Sequence, residues 1–341
     1  MADFFSEGVV CEYTPGRLVV GVGPFDRRAA RLPDRPACYA PDFFLDDPTP
    51  WLHPADWREV SRDELRADLP AAPAGPAVRW NPPSRDAYAR IYADLVAAIA
   101  RGPLTKAVPV VLERGRLAGA GPVAPALFAT LLDAPEASLL YGVWSGSEGM
   151  IGASPEILFR RLENGRVETA AVAGTYPAER GARLAADPKE VAEHQSVVDD
   201  IAGALAPLGA VETGPRELLC LPLLTHLKTD FFLTPHRPVG FADLVRALHP
   251  TAALGIAPRD ANPGLLRRLD AGVGRGRLGA PFGPEWPDGR AACLVAIRNV
   301  QWRGREIILG AGGGVIAQSR LDAEWEELAL KREAVKRMLG L

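Results

Sequence analysis

The run AACLVAIRNVQWRGREIILGAGGGVIAQS, residues 291–319, reads as two long strands joined near Arg303 and Gly304. EILFRRLENGRVETAAVAGT, residues 156–175, reads as a second hairpin, because Asn164-Gly165 is a turn signature that accepts positive φ at both central positions. GVVCEY, GRLVVGVG and LTKAVPVVLERG add further strands by their β-branched content. Helices are expected in SRDAYARIYADLVAAIARG, which opens on a Ser cap and spaces Tyr88, Ile91, Leu95 and Ile99 on one face, and around residues 124–132. Two more are expected in DPKEVAEHQSVVDDIAGALAPLG and in the closing LDAEWEELALKREAVKRMLGL. Strands outnumber helices and arrive as hairpins, so the expected class is α+β with large, mainly antiparallel sheets rather than a doubly wound fold. PAAPAGPAVRWNPP, residues 70–83, is the expected linker.

Charge and cysteine usage narrow the function. Lys plus Arg number 39 against 42 Asp plus Glu, which leaves no broad basic face for nucleic acid or a membrane surface. Cys11, Cys38, Cys220 and Cys293 are widely spaced and form no C-x-x-C, against both a zinc knuckle and a disulfide framework. MADFFSEGVV has no basic stretch leading into an apolar run. The expectation is a soluble cytoplasmic monomer that acts on a small molecule without an obligatory protein partner.

In the last helix, Leu321, Trp325, Leu328, Val335 and Leu339 fall on one face, while Glu326 and Glu333 point away. Glu324, Glu327 and Lys331 instead lie on the edge of the apolar stripe. Glu190 and Glu193 repeat the E-x-x-E spacing on another helix. Carboxylates beside a core repel one another and lose hydration, so a cation is expected to compensate them. A hard divalent ion such as Mg²⁺, sharing its shell with an anionic substrate, answers that need. A routine surface i,i+4 pair between Glu327 and Lys331 is the alternative. A di-iron bundle would want E-x-x-H, which neither pair supplies.

Strand alternation puts Arg298 on a face with Leu294, Ala296 and Val300, and Lys106 on one with Val108, Val110 and Leu112. A guanidinium so placed wants a carboxylate or phosphate, or the face is open to water. A desolvated lysine can serve as a base, or it snorkels from a strand start. Glu156 is a candidate general acid if its pocket is dry. AGTYP offers backbone donors and the Thr175 hydroxyl to an anion, and His249 reads most simply as a core histidine. GAGGGVIAQS fails both the Rossmann and the P-loop spacing, so Gly312, Gly313 and Gly314 read as glycines that let a ligand or a strand come close.

Taken in order, GASPEILFRR, AGTYPAERG, DPKEVAEHQSVVDDI, LHPTAALGIAPR, LVAIRNV, GAGGGVIAQS and AEWEELALK resemble the chorismate-utilising enzymes, over residues 104–341. That family includes isochorismate synthase, salicylate synthase, anthranilate synthase component I and aminodeoxychorismate synthase component I. The resemblance implies an anthranilate synthase component I-like fold in which residues 1–103 complete a sheet and residues 104–341 carry the catalytic motifs. It implies Glu193 and Glu327 as direct Mg²⁺ ligands, with Glu190 and Glu324 holding the metal's waters. Arg298 and Lys331 match positions that grip the carboxylates of chorismate. Gly174 and Thr175 match the donors beside them, and His249 and Gly312 complete the substrate-binding set. Glu156 matches the general acid and Lys106 the base that activates water. Ala173 stands where aminodeoxychorismate synthases carry a lysine. Together with Lys106 this favours water addition, as in isochorismate synthase; salicylate formation and amination are the other branches. The chain departs from the family pattern at Ala252, at Leu278 where an aromatic is usual, at Lys228, and in LDAGVGRG, whose acidic residue is displaced.

Overall fold

The run 291–319 does not stay in one sheet. Ala291–Val295 belongs to one nine-stranded sheet and Asn299–Arg303 to another, and Arg298 stands between them with φ of 57°. A left-handed backbone at a residue with a side chain is uncommon and strained. The expected single strand is therefore two, and alternation across residues 294–300 is not what sets the direction of Arg298. The expected turn at Arg303-Gly304 does form, and Arg303 pairs with Glu306.

The computed structural model describes residues 2–69, 75–119, 123–262 and 264–341. One sheet runs in the order Asp56–Ser61, Arg17–Val22, Glu7–Thr14, Leu139–Ser145, Glu148–Ser154, Asn299–Arg303, Glu306–Gly312, Val110–Leu117, Val78–Asn81. The other runs Gly209–Cys220, Leu224–Pro235, Val167–Pro177, Ile157–Arg161, Ala291–Val295, Pro281–Glu285, Ala37–Tyr39, Trp51–His53, Asp26–Arg28. Their ladders are antiparallel, as the α+β expectation required. Residues before 104 supply strands to both.

The sheets bury one face against each other: Val9, Cys11, Val19 and Tyr141 from the first meet Cys38, Leu52, Phe282 and Leu294 from the second. Helices cover the outer faces. Val123–Leu131 and the C-terminal helix Leu321–Leu339 pack on the first sheet through Leu127, Phe128, Val335 and Leu339. The Pro188–Leu205 and Phe241–Leu248 helices pack on the second through Val197, Ile201, Leu244 and Leu248. Among the described residues no helix is long and apolar enough to cross a membrane.

Three local expectations change. The expected linker contains an edge strand, Val78–Asn81, paired with Val110–Leu117; its residues 70–74 lie outside the described ones. The hairpin at 164–165 forms, but only Gly165 of that pair has positive φ, at 78°, and its strands are separated by residues 162–166. The strand expected at 104–115 is broken after Ala107, because Pro109 has no amide to donate. Lys106–Ala107 instead forms a small sheet with Ile256–Ala257 and Val315–Ile316, which separates Lys106 from the strand of Val110 and Leu112.

Candidate active site

Asp187 fixes the first turn of the Pro188–Leu205 helix, accepting from the amides of Lys189 at 2.8 Å and Glu190 at 3.3 Å. That turn delivers Glu190 and Glu193 into the interior, 5% and 7% exposed. The neighbouring strand bulges at Gly174, where φ is 75° and a Cβ would stand 3.0 Å from the Glu190 carbonyl oxygen. Glycine there lets strand and helix meet, and the Thr175 amide then donates to Glu190 Oε2 at 2.7 Å. From the other direction the C-terminal helix brings Glu324, 1% exposed, whose Oε1 accepts from Ser319 Oγ at 2.7 Å. Gly314 closes the gap between the two helices: a Cβ on it would lie 2.2 Å from Glu193 Oε1 and 2.6 Å from Lys106 Cε. The glycine run thus gives room to side chains of the site.

Lys189 is the hub of this cluster. Its Nζ lies 2.9 Å from Glu190 Oε1, 3.2 Å from Glu193 Oε2 and 3.1 Å from Glu324 Oε1. Lys106 Nζ stands 3.1 Å from Glu193 Oε1 without hydrogen-bond alignment. Glu327 pairs with Lys331 at 2.6 Å, and Lys331 also donates to the Gly312 carbonyl at 2.9 Å. The expected i,i+4 pair is therefore real but not a surface pair, since its side chains are only 14% and 16% exposed. Burial would raise the Glu193 carboxyl, yet Lys106, Lys189 and Lys331 hold it at about 2. Burial raises Glu324 to about 7 against the pull of Lys189. Glu190 also rises, through burial and the nearby Glu193.

As the side chains stand, no three acidic, His or Cys side chains among the described residues form a ready metal site, because Lys189 lies between three of the carboxylates. The donor set itself suits a hard divalent ion, since it is all carboxylate oxygen. Glu324 Oε2 is buried with no partner, so the cluster holds more acceptor capacity than its lysines satisfy. The four glutamates fit the ion that the E-x-x-E spacing calls for.

Beside the cluster Glu156 is 4% exposed, dry enough for a carboxylic acid to keep its proton. Burial raises its carboxyl to about 7, with Lys106, Lys331 and Arg298 pulling the other way. Arg298 is desolvated, which lowers it to about 10 against Glu327 and Glu156. Its Nη2 lies 3.1 Å from His226 Nε2. A guanidinium only donates, so Nε2 accepts and the His226 proton sits on Nδ1, which faces Thr175 Oγ1 at 3.0 Å and the Gly174 carbonyl at 3.3 Å. Burial keeps that imidazole neutral. Arg298 Nη1 is left buried and unpaired.

Two of the expected binding residues already have partners within the protein. The Thr175 amide donates to Glu190, while its hydroxyl, accepting from His226, keeps its own proton to donate onward. His249 gives Nε2–H to the Phe43 carbonyl at 2.7 Å and packs edge-on against the Phe43 ring, as a core histidine does, though its Nδ1 is buried without a partner. His226 and Lys189 join the site without having stood out in the sequence. Lys189 carried a readable signal, because it precedes Glu190 directly and Glu193 by four.

Two cavities touch Arg298. One of about 50 Å³ is lined by Val108, Leu254, Arg275, Leu278, Gly310 and Gly312 among others, and holds no more than a water or two. The other, about 390 Å³, runs between Ala153, Leu221, Leu224, Val335 and Met338. It has the volume of a small-molecule site but meets the chemistry only at Arg298. Leu278 lines the first with carbon. Asp270, in the same loop, accepts from Arg275 Nε at 3.1 Å. Lys228 pairs with Asp230 on its own strand.

Residues 56–340 match the family described as chorismate binding enzyme. The chain is 32% identical over 258 residues to the salicylate biosynthesis isochorismate synthase of Pseudomonas aeruginosa, covering 72% of this chain and 53% of that protein, so it spans about half of that relative's length. It is 35% identical over 311 residues to a Mycobacterium tuberculosis protein provisionally named isochorismate synthase MenF, with 81% of each covered. The fold is that of the menaquinone-specific isochorismate synthase MenF from Escherichia coli, at TM-score 0.81 and 20% identity over 98% of this chain and 88% of that one. It is also that of anthranilate synthase component I from Streptococcus pneumoniae, at TM-score 0.69 and 16% identity over 96% and 90%. With Glu190, Glu193 and Glu324 meeting in one carboxylate cluster and residues 56–340 matching the family, the chain belongs to the chorismate-binding enzymes.

Proposed function

We propose that this protein is a Mg²⁺-dependent isochorismate synthase, adding water at C2 of chorismate with loss of the C4 hydroxyl. The observation that carries this reading is Glu156: a carboxyl only 4% exposed, raised by burial to about 7, in the field of Arg298 and of the two lysines, Lys106 and Lys331, that pair with Glu193 and Glu327. An acid held in its protonated form near neutral pH is what a departing hydroxyl needs. The isochorismate synthases among the relatives support the same branch. Residues before 104 supply strands to both large sheets, which supports treating residues 1–341 as one chorismate-binding unit.

Held by Glu190, Glu193, Glu324 and Glu327, Mg²⁺ would neutralise the ring carboxylate as a Lewis acid. Arg298 has one donor nitrogen fixed on His226 and the other free for a substrate carboxylate. Lys331, anchored on the Gly312 carbonyl, adds a second positive charge. In its unprotonated amine form Lys106 takes the proton of the water that attacks C2, the ring double bonds shift, and Glu156 gives its proton to the C4 oxygen, which leaves as water. One water enters and one departs, so the reaction is an isomerisation. Ala173, in a buried strand, offers no amine for a covalent route.

Separating the products formed from chorismate with Mg²⁺ tests the proposal. Isochorismate is the expected product, and none should form after chelation with EDTA until Mg²⁺ is restored. Salicylate with pyruvate, an amino product that needs ammonia, or unchanged chorismate would each replace this reading.

A further inference from the structure

The proposed reaction leaves the cation at the centre of the carboxylate cluster unused. Lys189 bridges Glu190 and Glu193 on its own helix to Glu324 on the C-terminal one. An ammonium has three N–H donors, and here the nitrogen faces three carboxylates, with a hydrogen bond to Glu193 and ion pairs to Glu190 and Glu324. A hard divalent ion binds carboxylate oxygen at roughly 2.0–2.6 Å. It would need the space between these same oxygens, so ion and ammonium cannot both sit there. Removing the ammonium with nothing in its place would leave three buried carboxylates facing one another, a costly arrangement.

We infer that Lys189 is a built-in counter-ion of the metal site: its ammonium holds the glutamates together when no divalent ion is bound and swings out when one binds. The inference rests on the metal reading proposed above. Two features support an exchange over a permanent salt bridge. Glu324 Oε2 remains buried and unpaired with Lys189 in place, so the lysine satisfies the cluster only in part. The Lys189 side chain is 20% exposed, against 1–9% for its three partners, so its flexible stem has a way to solvent that the carboxylates lack. The consequence is a weakened and exchangeable metal site, because each binding event must displace an internal cation.

Mn²⁺ binding to the intact protein, followed by electron paramagnetic resonance of the free ion, tests this on Lys189→Met and on the polar variant Lys189→Gln. Both are expected to bind Mn²⁺ about tenfold or more tightly than wild type. In EDTA both should melt below wild type, and saturating Mn²⁺ should close the gap. A variant that folds only with Mn²⁺ present would support the same role. Equal or weaker Mn²⁺ binding by the variants, with wild type binding normally, overturns the counter-ion role and leaves the metal reading standing. Variants that misfold even with Mn²⁺ also overturn it, in favour of a purely structural lysine. Failure of wild type to bind Mn²⁺ overturns both.

Discussion

Lys106→Gln is expected to lower the rate of chorismate hydration by about 10²–10⁴-fold, the usual contribution of a positioned proton acceptor, while leaving metal uptake intact. Lys106 is 1% exposed and held by a short three-stranded sheet, so its Nζ has little freedom. Glutamine keeps most of the side-chain length and polarity but cannot accept the proton of an attacking water. Metal uptake survives because Lys331 also favours the anionic form of Glu193, and a bound ion compensates that carboxylate directly. Turnover by the variant within tenfold of wild type would remove Lys106 from the base role. Loss of Mn²⁺ binding together with turnover would make it a support for Glu193 instead.

Glu156→Gln is expected to cost a similar factor, and its pH signature separates an acid from a packing residue. The carboxyl is raised from 4.5 to about 7, so wild type carries the proton below that pH and loses it above. Activity should therefore fall by about tenfold per unit on the alkaline side of pH 7, and the residual activity of the variant should lack that limb. Stability gives an independent check on the sign. Between 4.5 and about 7 the folded protein binds this proton and the unfolded chain does not, so native stability falls as pH rises through that window. Glutamine removes the dependence, so the variant should be no less stable than wild type at pH 8. A variant that keeps the alkaline limb would place the titrating group elsewhere.

Much of the site was legible because helical spacing is local. Glu324 and Leu328 are buried and Glu326 and Glu333 exposed, as the wheel requires. Glu190 and Glu193 followed from the same geometry. Strand alternation served less well, since it assumes that a strand continues. Lys106 and Arg298 do reach the site, but from a strand broken before Pro109 and from a left-handed turn between two sheets. Pairing that sets the topology was out of reach: Glu7–Thr14 lies against Leu139–Ser145. The long hairpin of Gly209–Cys220 and Leu224–Pro235, which carries His226, had no place among the expected elements. His226 matters only because Thr175 and Arg298 reach it from elsewhere in the chain.

Running the reaction in ¹⁸O-labelled water tests the hydration chemistry most directly. One ¹⁸O atom should appear in isochorismate, at C2, and the remaining chorismate should supply the other oxygens unlabelled. Isochorismate without label would mean that the hydroxyl migrates within the substrate, and Lys106 and Glu156 would then be neither the base nor the acid of the reaction.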